Sequence, residues 1–190
     1  MGRAHFEHAD FLDAARRLVI ERGPAAVTVG SVTQHLGAPT GSFYHRFASR
    51  DVLLAELWLI TVLQFQEGFV TAIEAGDGLA AALHTPHWAR ANLEAACFLL
   101  LHHRDDFVRG EWPPELKQRV AAQARQVESC VKRFARETFH GTDSTHLRRA
   151  SFVLLEVPLA AVRPHLRRAE QPPAIVDELI RTTYAAIIDG

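Results

Sequence analysis

The stretch "AVTVGSVTQHLGAPTGSFYHRF", residues 26–47, contains two short helix-forming segments separated by very few residues. Thr28 stands where an N-cap is expected, because its hydroxyl can accept hydrogen bonds from the free N–H groups of a first helical turn. Gly37 supplies the left-handed residue that ends this helix, and a second helix begins near Pro39 or Thr40. The sequence therefore predicts a helix-turn-helix, which can present its second helix to a DNA major groove.

The second helix carries the residue types that groove recognition requires. Gly41 and Ser42 are small, so the backbone can approach a phosphate group. Tyr44 can donate its hydroxyl to a phosphate oxygen, and His45 can present a ring nitrogen to a base edge or a phosphate. The aromatic residues expected to face inward and hold the helix in place are Phe43 and Phe47.

The rest of the chain is predicted to be helical. Apolar residues recur at spacings of three and four, and no strand-like alternation is present. Glycine and proline punctuate the pattern and mark the breaks between helices. We therefore expect an all-α fold of about nine helices, with approximate ranges 6–22, 28–36, 40–46, 50–75, 78–84, 87–107, 114–139, 144–167 and 174–188.

Helix length divides the chain into two predicted domains. Residues 1–48 hold three short helices and are expected to form a helix-turn-helix DNA-binding domain. Residues 49–190 hold longer and more apolar helices and are expected to form a helical ligand-binding and dimerisation domain. The charge agrees with this division, because residues 1–50 carry a net charge of +2 and the remainder carries −3.

Composition excludes several classes of protein. The chain has 190 residues, of which 48% are hydrophobic and 23% charged, as expected of a globular protein with a substantial core. A net charge of −1 argues against a histone-like basic coat. No secretory signal is present at the start, Cys97 and Cys130 lie in apolar stretches, and the run 93–101 is only about half as long as a bilayer span requires. We therefore expect a cytoplasmic protein with reduced thiols and no membrane segment.

The longer run "AVTVGSVTQHLGAPTGSFYHRFASRDVLLAEL", residues 26–57, resembles the head of the TetR family of bacterial transcriptional regulators. The family pattern has a capping Thr, a Gly-containing turn, a small residue before an aromatic, then Tyr and Phe, and a basic residue that opens the fourth helix. This chain departs from the pattern at Arg50, where Lys is usual, and at Val32-Thr33, where Ile-Ala is common. The residues that match are Thr28, Gly37, Gly41, Ser42, Tyr44, Phe47 and the helix opening Arg50-Asp51-Val52-Leu53.

The resemblance implies a regulator, most often a repressor, that binds a palindromic double-stranded DNA operator as a homodimer and is released by a small-molecule effector. It also implies that Arg50 binds phosphate and that the last two helices of each subunit form a four-helix interface. In such a protein the fourth helix transmits the structural change caused by effector binding to the DNA-binding domain. Two heads on one face of DNA would read half-sites about one helical turn, ~34 Å, apart or modestly more. The predicted DNA contacts are Thr28, Pro39, Thr40, Gly41, Ser42, Tyr44, His45 and Arg50.

Effector contacts are predicted on the helices that usually surround the family's cavity. A mainly apolar ligand held by a few polar groups would suit these residues, although core packing explains most of them equally well. Glu156 lies within the apolar run "VLLEVPL" and has three possible roles: meeting a cationic ligand, pairing with an Arg across the dimer, or facing water. The predicted set is Phe65, Phe69, Trp88, Asn92, Phe98 and Glu156.

Other chemistries have little support in the sequence. The pair His84 and His87 is interrupted by Pro86, and the adjacent His102 and His103 point in different directions on a helix, so no metal site is predicted. No phosphate loop, zinc-protease motif or nucleophile elbow is present, so neither catalysis nor a cofactor is expected. The alternative function is a helical protein-interaction module that does not bind DNA.

Overall fold

The structure is a computed structural model that describes residues 6–189. All of the regular secondary structure in this range is helical, which confirms the predicted all-α fold. Helices α8 and α9 are joined without interruption by a π-helical segment, Phe152–Glu156, so the described chain has nine continuous helices. The α-helices are α1 His8–Arg22, α2 Val29–Leu36, α3 Thr40–Tyr44, α4 Arg50–Glu74, α5 Gly78–Ala91, α6 Leu93–Leu100, α7 Pro114–Phe139, α8 Ser144–Ser151, α9 Val157–Leu166 and α10 Ile175–Ile188, and 3₁₀ turns lie at Pro24–Ala26 and Arg104–Asp106.

The chain folds into two compact units. The first comprises Met1–Thr61 and His102–Arg119, and the second comprises Val62–Leu101 and Val120–Gly190. Helices α4 and α7 each contribute residues to both units, because each continues through a unit boundary. The predicted functional division at residues 48 and 49 stays a prediction.

Three phenylalanines form the centre of the first unit. Phe11 of α1, Phe43 of α3 and Phe47 are essentially inaccessible to solvent. The ring centroid of Phe11 lies 5.9 Å from that of Phe43 and 6.2 Å from that of Phe47, in edge-to-face arrangements. Aromatic rings prefer this geometry because the positive edge of one ring meets the negative face of another. The prediction that Phe43 and Phe47 face inward is confirmed.

The predicted break at Pro86 is wrong. Helix α5 continues through this proline, which is buried, and ends at Ala91, with Asn92 as its C-cap at φ −137°. A proline inside a helix removes one backbone hydrogen bond and crowds the preceding turn, but tertiary packing of its ring can offset that cost. The predicted helix 87–107 is also wrong. Its first residues belong to α5, and a separate helix, α6, follows and ends at Leu100.

Within the second unit, a polar cluster joins α5 to α10. The Arg90 guanidinium donates to both carboxylate oxygens of Asp177, at 3.0 and 2.8 Å. It also donates to the carbonyls of Pro172 and Pro173, which precede α10. His87 Nε2 lies 3.2 Å from Asp177 Oδ2. Bidentate contacts of this kind are geometrically specific, so the cluster fixes the position at which α10 begins.

Two predictions were made from apolar stretches: that the chain has no membrane segment and that its two thiols are reduced. Among the described residues, α4 is the one helix long and apolar enough to cross a membrane by length and composition, and the expectation that the chain has no membrane segment stays a prediction. Of its most apolar window, 61% is buried inside the protein, as is usual for a core helix. Cys97 and Cys130 are free and buried. Burial raises the pKa of both thiols, which lowers their reactivity.

The Asp177 cluster generates a prediction about acid stability. Burial opposes ionisation of Asp177, but hydrogen bonds and charge from Arg90 and His87 outweigh it, so the pKa is lowered from its usual 3.8. A depressed carboxyl pKa contributes stability above the unfolded-state value and loses it as the pH falls through the folded-state value. We expect Asp177→Asn to lower the free energy of unfolding by about 1–2 kcal/mol at pH 7.

Urea denaturation at pH 7, 5 and 3 measures this effect. The difference between the wild type and Asp177→Asn should shrink at pH 3, because below the ordinary carboxyl pKa the unfolded chain binds a proton that the folded carboxyl, with its lowered pKa, resists. The exposed neighbour Glu178 on the same helix turn provides a matched control, and Glu178→Gln should change stability little. An equal loss for Asp177→Asn at all three pH values would contradict the prediction.

Candidate nucleic-acid interface

Helix α2 begins and ends as the sequence predicts. Thr28 Oγ1 accepts from the Ser31 N–H at 2.9 Å, and Ser31 Oγ accepts from the Thr28 N–H at 2.8 Å, which forms a reciprocal capping box. Gly37 ends the helix in the left-handed region with φ 66°. A residue with a Cβ is strained in this region, so glycine permits the short turn into α3. The predicted cap and terminating glycine are confirmed.

Helix α3 presents one exposed side of the first unit. Thr40, Gly41 and His45 are exposed, and the side chain of Tyr44 is 58% exposed. The Tyr44 ring packs edge-on against Phe43, with centroids 5.5 Å apart, so its hydroxyl end extends toward solvent from an anchored ring. Of the other predicted contacts in this stretch, Pro39 is exposed and provides no side-chain cap, and Ser42 is half-buried. The first-turn N–H groups of α3 therefore lack a capping side chain and can meet an anion.

Arg46 holds the end of α3 against the start of the chain. Its guanidinium donates to the Ser42 carbonyl at 2.9 Å and also to the Phe6 carbonyl. The same group lies over the Phe11 ring, 5.6 Å from the centroid. Arg46 therefore stabilises the fold through contacts inside its own chain, and it also contributes to the positive charge of this region.

Arg50 has a similar position at the start of α4. Its Nε donates to the Val27 carbonyl at 2.8 Å, and its Nη2 donates to the Pro24 carbonyl at 2.7 Å. Its Nη1 donates to Asp51 at 2.9 Å. The guanidinium therefore joins α4 to the 3₁₀ turn that precedes α2, and its predicted contact with phosphate stays a prediction.

His8 is a structural residue of this region that the sequence analysis did not identify. Its ring stacks on Phe47, with centroids 4.3 Å apart, and its Nε2 lies 3.0 Å from Glu56 Oε2. Glu56 is 48 residues away along the chain. No local pattern indicates such a pair, so only the folded structure reveals that His8 joins the start of α1 to α4.

The residues predicted to contact an effector fall into separate environments. Phe69 and Phe98 lie in the core, with 2% and 0% of their surface exposed. Phe65 is half-buried, and its ring lies 5.1 Å from that of Trp88. Asn92 is exposed and donates to the Trp88 carbonyl at 3.1 Å. The structure therefore brings Phe65, Trp88 and Asn92 near one another, and their role toward a ligand stays a prediction.

Glu156, the sixth predicted contact, forms an ion pair within its own chain. Its carboxylate accepts from Arg148 of α8, and 43% of its side chain is exposed. The possible roles of a ligand contact and of a pair across a dimer are not tested by this arrangement. The pair itself explains how an acid is accommodated within an apolar run, because the carboxylate reaches both a cation and water.

His84 occupies a tight position between α5 and α4. Its ring lies so close to Gly68 that a Cβ there would collide with it. Its Nε2 is 2.5 Å from the Phe65 carbonyl. Burial lowers the pKa of His84 most strongly, the Phe65 carbonyl raises it, and His87 lowers it further. Within residues 6–189, no group of three or more His, Cys, Asp or Glu side chains could hold a metal ion.

Two cavities of the second unit lie away from the predicted effector contacts. One of about 520 Å³ follows α4 and includes Gln126 of α7, and one of about 320 Å³ lies beside α7, α8 and the π-helical segment. Neither is lined by any of the six residues predicted to contact an effector.

Comparisons with known proteins match the amino-terminal part of the chain to a family model and nearly the whole chain to solved structures. Residues 11–57 match the family model of bacterial regulatory proteins, tetR family. No curated protein matches the chain in sequence. Because all of the similar solved structures below are under 25% identical, their likeness establishes the fold alone.

Three of these structures cover nearly the whole chain. FadR from Bacillus subtilis in complex with stearoyl-CoA has a TM-score of 0.66 and 14% identity, over 97% of this chain and 99% of that chain. The fatty acid degradation regulator FadR from Bacillus halodurans has a TM-score of 0.68 and 11% identity, over 98% and 97%. The TetR family regulator PfmR from Thermus thermophilus has a TM-score of 0.61 and 21% identity, over 98% of each chain.

The contacts of Arg50 generate a prediction about its replacement. Lysine keeps the charge but offers a single nitrogen, which cannot reach both the Val27 and Pro24 carbonyls as the planar fork does. We expect Arg50→Lys to lower the free energy of unfolding by about 1–2 kcal/mol, because about two hydrogen bonds of roughly 1 kcal/mol each are affected. Guanidinium chloride denaturation followed by circular dichroism measures this.

Arg22 is the matched control. It is exposed at the end of α1, and its ion pair with Glu21 spans 3.9 Å. Exposed pairs of this kind contribute little, so Arg22→Lys should leave stability unchanged. If the two lysine variants were equally stable, the structural role of Arg50 would be disproved.

Proposed function

The match at residues 11–57 makes this chain a member of the TetR family of bacterial regulatory proteins, and we propose that it is a ligand-responsive transcriptional repressor. It binds a palindromic DNA operator as a homodimer, and a small-molecule effector releases it. Ligand-responsive DNA binding is the general function of the family. The protein acts by binding, without catalysis, in the cytoplasm.

The exposed face of α3 is the observation that carries the proposal. Phe43 and Phe47 occupy the core, so the helix cannot rotate, and Thr40, Tyr44 and His45 are directed to solvent. The core contacts of this five-residue helix are made by the two phenylalanines. Stability of the fold therefore does not explain why a tyrosine is exposed beside them. Groove recognition does require it, since base edges and phosphates must be reached by side chains from a fixed helix.

Predicted DNA contacts divide into two kinds. Gly41 and Ser42 lie at the start of α3, where their small side chains let the backbone approach a phosphate, and the Ser42 N–H itself donates to the Pro39 carbonyl at 2.9 Å. Thr28 holds the N-cap position on α2, where its hydroxyl accepts from the Ser31 N–H. Tyr44 and His45 extend further and supply the side-chain contacts. Pro39, Thr40 and Arg50 complete the proposed set.

Dimerisation is supported by the two apolar sides of α10. Val176 and Ile180 are buried within their own unit, whereas 51% of Ile175 and 58% of Leu179 is exposed. Thr183 continues the exposed side, and its hydroxyl donates to the Leu179 carbonyl at 2.9 Å, which hides its polar group. Helix α10 therefore has one apolar side that packs inside its own unit and a second apolar side that faces solvent. This pattern is typical of a helix that is buried on both sides in an oligomer.

The π-helical segment adds to this surface. Its first residue, Phe152, is 38% exposed, and the segment packs against α10. A second copy of the chain would cover Phe152 together with the exposed stripe, which gives the four-helix interface implied by the family. The two heads of the dimer then read the two halves of a palindrome.

Effector identity does not transfer from the similar structures. One of them is in complex with stearoyl-CoA, and another is described as a ketosteroid transcriptional regulator, at 14% and 16% identity to this chain. Phe65 and Trp88 are half-buried, Asn92 is exposed, and the three lie near one another. We propose that these three residues contribute to an effector site, with Phe69, Phe98 and Glu156 as the remaining candidates.

DNA binding is tested by selecting bound sequences from random duplexes and measuring affinity by fluorescence anisotropy at several salt concentrations. Affinity should fall steeply with salt, because phosphate contacts release counterions. Tyr44→Ala should weaken operator binding at least about tenfold, the effect of losing one good hydrogen bond to a charged group. The thermal stability of this variant should fall only slightly, because the residue is 58% exposed and the lost contact is one edge-on ring pair with Phe43.

The exposed Gln118 lies outside the recognition segment, and Gln118→Ala serves as the control that should bind the operator normally. A protein that bound no duplex at any salt concentration would instead be a helical protein-interaction module. Unchanged affinity of Tyr44→Ala would overturn the assignment of α3 as the recognition helix.

Dimerisation is tested with a charge on the exposed stripe of α10. A glutamate at the Leu179 position would be buried without a partner in the dimer, so Leu179→Glu should shift the molecular mass in solution toward that of the monomer. Light scattering after size-exclusion chromatography measures this. Leu63, which is 38% exposed on α4, supplies the control Leu63→Glu, which should remain dimeric. A wild type that is monomeric at all concentrations would disprove the dimer.

A further inference from the structure

Residues 102–113, which connect α6 to α7, are folded against one side of α4 within the first unit. The Arg104 guanidinium lies 5.7 Å from the centroid of the Trp58 ring. Nearer the start of α4, a Cβ at Gly110 would lie only 2.5 Å from Asp51 Oδ2. Because positions i and i+7 of a helix share one side, Asp51 and Trp58 face the same way. The connecting segment therefore follows this side of α4 and ends beside the Asp51 carboxylate.

The segment is anchored on both sides of Gly110. Before it, Phe107 is buried, with 1% of its surface exposed. After it, Trp112 Nε1 donates to the Arg109 carbonyl at 2.5 Å. Gly110 itself has φ 83°, where a residue with a Cβ is strained, and that Cβ would also collide with the carboxylate. Glycine at this position therefore leaves room for the Asp51 side chain and closes the space beside its Oδ2 atom.

The other oxygen of the same carboxylate meets Arg50. Asp51 Oδ1 accepts from Arg50 Nη1 at 2.9 Å. The remaining two nitrogens of the guanidinium donate to the main chain before α2, Nε to the Val27 carbonyl and Nη2 to the Pro24 carbonyl. Arg50 is thus held one residue before Thr28, another proposed DNA contact. The exposed fractions of the Arg50 and Asp51 side chains are 30% and 36%, so an anion in solution can reach the pair.

A carboxylate in this position opposes the binding of phosphate by Arg50. Carboxylate and phosphate oxygens are both anionic acceptors that favour a guanidinium, so they compete for the same N–H groups. A phosphate that approaches Nη1 must displace the Asp51 carboxylate or lie beside a like charge. Gly110 and the anchored segment close one side of the carboxylate, which limits how far it can turn away.

We propose that Asp51 competes with operator phosphate for Arg50 and thereby lowers the affinity of this protein for DNA. The inference rests on the proposed function, because it concerns the strength of operator binding. An acid in the first turn of a helix also stabilises that helix through its dipole. The two roles make opposite predictions for DNA: loss of a competitor tightens binding, whereas loss of a purely structural residue weakens it.

Replacement of Asp51 by asparagine separates the two roles. Asp51→Asn keeps an oxygen that can accept from Arg50 but removes the negative charge. Fluorescence anisotropy with the selected operator should show binding about three- to tenfold tighter than that of the wild type. The dependence of affinity on salt should become steeper, by up to about one counterion, because Arg50 is free to neutralise a phosphate. The melting temperature should be equal to or slightly below that of the wild type, because the helix loses a favourable charge.

Two further variants show whether the effect passes through Arg50. Glu21→Gln removes one negative charge from an exposed position of the same unit, where Glu21 lies 3.9 Å from Arg22, and should change operator affinity less than about twofold. In an Arg50→Gln background, Asp51→Asn should have little further effect, because no cation remains for the carboxylate to occupy. Circular dichroism identifies a temperature at which each variant is folded, and Asp51→Asn with Glu21→Gln decides the outcome if Arg50→Gln is not.

Equal or weaker operator binding by Asp51→Asn overturns the inference. So does an equal gain in Glu21→Gln, which would assign the effect to net charge, or an undiminished gain in the Arg50→Gln background. If the wild type binds the operator in these cases, the proposed function stands and the competition alone is rejected. A wild type that binds no duplex at any salt concentration overturns the proposed function and this inference with it.

Discussion

The burial of Phe43 and Phe47 against Phe11 is the constraint on which the rest of the amino-terminal region depends. Helix α3 has only five residues, too few to be stable by its own backbone hydrogen bonds. Two phenylalanines four positions apart fix its rotation and its depth. Because that orientation is fixed, Tyr44 and its neighbours must point outward, and they form the face proposed to contact DNA. The same packing that stabilises the helix therefore sets the direction of these exposed side chains.

Several arginines show that positive charge alone does not identify a nucleic-acid contact. Arg46 and Arg50 lie beside α3, yet both donate to backbone carbonyls that would otherwise be left at the ends of turns and helices. Arg90 makes the same kind of contact at the start of α10. The guanidinium group suits this role because its planar fork reaches two or three acceptors at once. In this fold, these arginines join helix ends, and most of the proposed recognition face is formed by small and aromatic residues.

Helices α4 and α10 each have one side chain packed in the core and another that has no suitable partner within the described chain. On α4, Phe69 enters the core, and the nearby Gln66 has a buried amide oxygen with no hydrogen-bond partner among the described residues. On α10, Ile180 enters the core while Leu179 remains exposed. Both features lower the stability of the single chain, because a buried acceptor lacks a donor and an apolar side chain stays in water. The exposed side of α10 is the one that the proposed dimer would cover.

The sequence by itself determined the helical class, the capping of α2 by Thr28, the turn at Gly37 and the inward direction of Phe43 and Phe47, because these depend on local spacing and on the conformations that single residues prefer. It also indicated the family through that one short region. Only the tertiary structure decided that α5 continues through Pro86, that His8 pairs with Glu56, that Arg50 binds two carbonyls and that Gln66 lacks a partner. Each of these depends on groups that are distant in the chain and meet only after folding, so no local pattern specifies them.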